Sequence, residues 1–173
     1  MKTLTNGRYG LTGTVSTLTV LFIILFLTMN QIAFGAGAPS RSSTQSDSAA
    51  EQREKANVHF KAGEELQEMK KYKEASRKYN KAVEIDSDYA EAWSNLGYSY
   101  RKQEKFDWAV HAYKKAIKLK PDLAEAHEYL GEAYAEMGKF GKAEKELQIL
   151  RELESDEAGE LEEFIEKMKA KNS

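Results

Sequence analysis

The stretch AWSNLGYSYRKQEKFDWAVHAYKKAIKLKP, Ala92–Pro121, sets large residues at helical intervals around small ones. Trp93, Leu96, Gly97 and Tyr100 fall on one face of a first helix, because residues three and four apart in a helix are neighbours. Phe106, Ala109, Tyr113 and Ala116 fall on one face of a second. Pro121 stands where that second helix must end, since proline has no amide hydrogen to donate and restricts the residue before it. No alternating pattern of the kind a strand requires competes with this reading.

The pattern recurs on both sides. Gly131 and Tyr134 lie 34 residues after Gly97 and Tyr100. The later window carries His127, Leu130, Gly131 and Tyr134, then Phe140, Ala143, Leu147 and Leu150. The earlier one carries His59, Ala62, Gly63 and Leu66, then Tyr72, Ala75, Tyr79 and Ala82. Glycine inside a helix costs about 0.5–1 kcal/mol against alanine, so three at a fixed interval need a steric use. The expected use is close approach of the second helix of the same pair, with Ala75, Ala109 and Ala143 thinning the opposing surface.

This arrangement resembles the tetratricopeptide repeat. The resemblance implies an all-α, right-handed superhelical array of three helix-turn-helix repeats over residues 51–155, in windows 56–89, 90–123 and 124–157. A helix at about Glu157–Ala170, with Leu161, Phe164, Ile165 and Met168 on one side, is expected to cap the array within residues 156–173. Gly138 suits a left-handed closing position between paired helices. Lys70 and Glu104 do not, so their turns are expected to close differently. Asp86, Ser87 or Asp88, and later Ser155 or Asp156, are candidate N-caps.

Residues 1–35 read as a signal peptide or a retained membrane anchor. Lys2 and Arg8 precede the apolar run Leu18–Phe34, which Thr19, Thr28, Asn30 and Gln31 interrupt. Ala33 and Gly35 fit a cut ahead of Ala36, and Gly35 with Gly37 is a second option. Both readings carry the remainder out of the cytoplasm, and with the family resemblance they suggest a small exported or membrane-anchored bacterial-type member. The serine-rich residues 36–50 are expected to be a disordered polar linker.

The chain has no cysteine, which excludes disulfides, thiolate metal sites and a lipoprotein anchor. Its net charge of -2 becomes about -4 once Lys2 and Arg8 are removed. Basic residues are interspersed with acidic ones, which argues against nucleic acid as a partner. His59, His111 and His127 lack the spacing of a metal or nucleophile motif. No catalytic, metal or cofactor site is therefore expected.

By resemblance, the first helix of each repeat lines a concave groove that takes a peptide or an extended segment of another protein. The groove positions are Asn57, Phe60, Lys61, Glu64 and Glu68; then Glu91, Ser94, Asn95, Tyr98, Arg101 and Lys102; then Glu125, Glu128, Tyr129, Glu132 and Glu136. Chaperone-binding members of the family use lysine, asparagine and arginine to clamp a terminal carboxylate. The corresponding positions here are Phe60, Glu64, Asn95, Glu125 and Tyr129, and only Asn95 agrees. The acidic stripe on the third pair is either a binding surface for basic residues or a solvated face supported by lysines. Tyr98 and Tyr129 are either aromatic anchors or packing between pairs. The expected function is a non-catalytic adaptor supporting an exported or envelope assembly; the alternative is a self-associating structural subunit anchored at the membrane.

Overall fold

Helix propensity and apolar spacing act together in seven segments. The computed structural model describes residues 41–172, and all seven are helices, with no strand among the described residues. They are α1 (Arg41–Glu68), α2 (Tyr72–Ile85), α3 (Ala90–Arg101), α4 (Phe106–Leu119), α5 (Ala124–Glu136), α6 (Phe140–Glu152) and α7 (Glu157–Lys171). Contacts divide the chain into residues 1–44 and residues 45–173, and the array lies in the second unit. The apolar run Leu18–Phe34 and the candidate cleavage sites expected after it lie outside the described residues. No described helix is long and apolar enough to cross a membrane.

Helices α1–α2, α3–α4 and α5–α6 are the three expected pairs, and α3 and α5 begin at the expected window starts, Ala90 and Ala124. Two apolar clusters run through them. Ala56, Ala75, Tyr79, Ala82, Ala92 and Leu96 join the first two pairs. Ala109, Tyr113, Leu130, Ala143, Leu147 and Leu150 join the second and third with Leu161 and Ile165 of α7. Of the expected core, Leu66, Tyr72, Trp93, Tyr100, Phe106 and Phe140 are only half-buried, and Pro121 is exposed in its turn. Trp93 donates its indole N–H to the Ser87 carbonyl at 2.9 Å.

The glycines serve close packing, but the side chains they make room for are large ones rather than the expected alanines. A Cβ at Gly63 would sit 2.6 Å from Cε1 of Tyr79, and one at Gly97 would sit 2.6 Å from Cε1 of Tyr113. Both are contacts within a pair, as expected. Gly131 differs: its Cβ would meet Cδ2 of Leu161 in α7 at 2.5 Å. The third repeat has Leu147 where the others have Tyr79 and Tyr113, so the capping helix supplies the side chain that fills the glycine notch.

The turns correct a second expectation. Lys70 (φ 57°), Glu104 (φ 59°) and Gly138 (φ 70°), each 34 residues from the next, are all left-handed. In each turn this residue's amide donates to the carbonyl three back, and the next amide donates to the one five back. In the second pair these are Glu104 to Arg101 at 2.8 Å and Lys105 to Tyr100 at 3.0 Å. This is the Schellman closure, adopted by lysine and glutamate as well as glycine.

Side-chain capping is absent where it was expected. The residue before α3 is Tyr89, and Asp156 before α7 makes no capping hydrogen bond. Asp86 instead receives Arg53 from α1 and the amide of Asp88. Residues 41–50, expected within a linker, form the first turns of α1. They contain no glycine or proline, and Ala49, Ala50, Glu51 and Gln52 favour helix, so a helix held by packing at Ala56 propagates backwards through them.

Candidate functional site

The first-helix face is built around two fully buried rings. Tyr79 and Tyr113 reach it from the second helices of their pairs, because Gly63 and Gly97 leave room for them. Both hydroxyls are buried without a hydrogen bond. Tyr79 lies beside Asn95, with Glu64 and Glu125 nearby, and burial followed by the Glu64 charge pushes its ionisation well above the usual tyrosine range. Burial likewise raises Tyr113, which lies beside Arg101. Glu64, Asn95 and Glu125, from α1, α3 and α5, thus each act on the Tyr79 hydroxyl.

Beside these buried rings the aromatics pack against one another, mostly tilted or edge-on. Tyr98 stands 5.1 Å from Tyr129 and 6.1 Å from Tyr72, and Tyr129 stands 6.1 Å from Tyr113. Both Tyr98 and Tyr129 are half-buried by this packing between pairs. Phe60 stacks on Tyr89 at 4.8 Å and tilts against Tyr79 at 5.7 Å. These rings offer edges to a ligand rather than free faces.

Arg101 is not the exposed cation the repeat pattern suggested. Its side chain is 2% exposed and bridges α3 to α5 through Glu132 at 2.5 Å and Glu136 at 3.2 Å. Its guanidinium also lies 5.5 Å from the centre of Tyr98 and 5.8 Å from that of Tyr129. Burial opposes its charge, but Tyr113, Glu132 and Glu136 overcome that and hold the proton more firmly than usual. Lys102 remains exposed, with its ammonium 5.0 Å from the Tyr98 ring. Ser94, another groove position by pattern, is fully buried.

The acidic stripe on α5 is not a solvated face. Glu132 and Glu136 serve Arg101, and Glu125 lies beside Tyr129. Burial raises the carboxyls of Glu64, Glu125 and Glu132 above the usual range, with neighbouring acids adding to the effect. Glu128 is 8% exposed, and its carboxyl is pushed up to about 7 by burial, then by Glu132 and Glu160. The sequence reading identified the stripe but missed its burial, because α7 covers it from outside the repeat register. Glu160 and Glu163, which approach it from α7, carried no repeat signal.

His127 was also missed as a structural ion. It is 3% exposed, with Nδ1 2.8 Å from Glu146 and Nε2 2.9 Å from the Pro121 carbonyl. Among the described residues, no group of three or more His, Cys, Asp or Glu is placed to hold a metal ion.

Stacked helix pairs presenting a polar first-helix face define a helical-repeat array. A family model described as "TPR repeat" matches residues 63–103 and again 97–138 of this chain. Similar solved structures include the first TPR of Spaghetti (RPAP3) bound to the HSP90 peptide SRMEEVD. It is 26% identical, with 67% of this chain and 94% of that one covered at a TM-score of 0.62. MamA is 27% identical, with 57% and 58% covered at 0.55. The TPR2B domain of yeast Sti1, in its pHsp70 complex, shares the fold at 19% identity, with 69% and 98% covered at 0.62. No curated protein matches the chain.

Proposed function

We propose that this protein is a non-catalytic adaptor that binds an extended, basic segment of another protein along its first-helix face. The convergence of Glu64, Asn95 and Glu125 on the Tyr79 hydroxyl carries this reading. Spaghetti, the similar structure cited above, holds a peptide with an acidic C-terminus. Here the positions corresponding to the family's clamp hold Phe60, Glu64, Asn95, Glu125 and Tyr129, of which Glu64 and Glu125 repel a carboxylate and favour a cation. Burial has already raised the carboxyls of Glu64 and Glu125, and a bound lysine or arginine relieves that cost. The run Leu18–Phe34 supports a place for this adaptor outside the cytoplasm, in an exported or envelope assembly, and N-terminal sequencing of the mature chain checks that placement.

Fluorescein-labelled nonapeptides of graded charge test the polarity. Affinity for the full chain is expected to rise with each added lysine or arginine and to fall as salt is raised. Glu64→Lys with Glu125→Lys is expected to weaken binding of the most basic peptide by about ten-fold or more. Equal affinity for acidic and basic peptides removes the proposal.

A further inference from the structure

We infer that the cleft between α5 and α7 is a socket for a single lysine or arginine side chain of the partner, with Glu128 as its buried counterion. Glu128, Glu132, Glu160, Glu163, Phe164 and Lys167 line a cavity of about 350 Å³. Glu128 is more than nine-tenths buried as a residue, and no hydrogen bond or ion pair among the described residues engages its carboxylate, whose oxygens still reach the solvent of the cleft. A buried carboxylate normally has a partner, because leaving one without compensation is costly. Burial, then the charges of Glu132, Glu160, Glu157 and Glu125, favour its neutral form.

The candidate cations within the fold are committed or misplaced. Arg101 is held by Glu132 and Glu136. Lys102 lies against Tyr98. Lys167 lines the cleft but is exposed and does not pair with Glu128. The groups facing the site are thus Glu125 and Glu132 from α5, Arg101 and Lys102 from α3, and Glu157, Glu160, Glu163 and Lys167 from α7. Their balance at the socket is negative.

The occupant's chemistry follows from the walls. A metal ion needs several oxygens converging at about 2.0–2.6 Å, and the described acids form no such group. An aliphatic stem ending in a cation suits the cleft better. The half-buried Phe164 ring can receive the stem, Glu128 the charge, and Glu132, Glu160 and Glu163 the remaining donors. Because α7 supplies one wall, the capping helix then has a recognition role besides covering the last pair.

This socket rests on the adaptor reading, but it can be tested apart from it. The thermal midpoint of the full chain is measured at pH 8 with butylguanidinium and with its neutral isostere butylurea. Butylguanidinium is expected to place the midpoint about 3 °C above the butylurea value at concentrations well above its Kd. In Glu128→Gln that difference is expected to vanish, while Glu74→Gln, at an exposed position of α2 away from the groove, retains it. No difference in the parent, or one that survives Glu128→Gln, overturns the socket. If the graded peptides bind through Glu64 and Glu125 while butylguanidinium has no effect, the adaptor stands and the socket falls. If butylguanidinium acts through Glu128 while no peptide binds, the socket stands and the extended-groove reading falls.

Discussion

Two hydrogen-bond acceptors face the ring of His127, the Glu146 carboxylate at Nδ1 and the Pro121 carbonyl at Nε2. Satisfying both requires a proton on each nitrogen, so the folded state favours the imidazolium, and its pKa is raised, chiefly by the Glu146 hydrogen bond. The stability this contributes is complete below the unfolded histidine value of about 6.5 and is lost as pH rises through the higher folded value. His127→Phe is therefore expected to cost about 2 kcal/mol at pH 5.5 and roughly 1 kcal/mol less at pH 9. Urea unfolding of both chains at the two pH values checks this, and a cost independent of pH rules out the charged ring. In the sequence, His127 stood only as the counterpart of Trp93. That equivalence correctly indicated packing, but its acceptors lie six and nineteen residues away, where no local pattern records them. Arg101 shows the same limit, since the acids that bury it come from the next repeat at positions that read as surface.

At the scale of elements, the turn within each pair is fixed by geometry rather than by residue type. Lys70, Glu104 and Gly138 share a left-handed backbone although only one of them is glycine. Side chains with a Cβ are strained there, and the flanking helices impose the conformation through paired Schellman hydrogen bonds. Glu104 is exposed, so removing its side chain loses little else. Glu104→Gly is expected to stabilise the fold by roughly 0.5–1 kcal/mol, net of glycine's greater freedom when unfolded. Denaturant midpoints measure it directly, and a destabilised Glu104→Gly chain contradicts the strain argument. Helix existence and register were legible because apolar spacing and the 34-residue interval act over whole windows. The closure at Lys70 and Glu104 was not, since residue preference argued against it and tertiary packing overrode that preference. The partner of Gly131 was hidden for a related reason: Leu161 belongs to the capping helix and has no counterpart role within a pair.

For the molecule as a whole, the sign of the first-helix face separates this array from the chaperone-binding arrangement on the same fold. A similar structure at 26% identity carries the peptide SRMEEVD, which makes that peptide the natural probe of the proposed polarity. The charges argue against its binding here. At the clamp positions a peptide carboxylate meets Glu64 and Glu125, whose carboxyls burial has already pushed up, instead of lysine and asparagine. Arg101 cannot substitute, because Glu132 and Glu136 already engage it and its side chain is 2% exposed. Bringing further negative charge onto this surface adds like-charge repulsion to the desolvation of an unmatched carboxylate. SRMEEVD is therefore expected to bind the full chain with a Kd weaker than about 1 mM, a binding free energy of less than about 4 kcal/mol. Titration of the labelled peptide at low salt, where attraction between opposite charges is least screened, gives the more demanding version of this test. A micromolar Kd there means that some cationic group is available on the face after all, and the polarity on which the adaptor reading depends is then reversed.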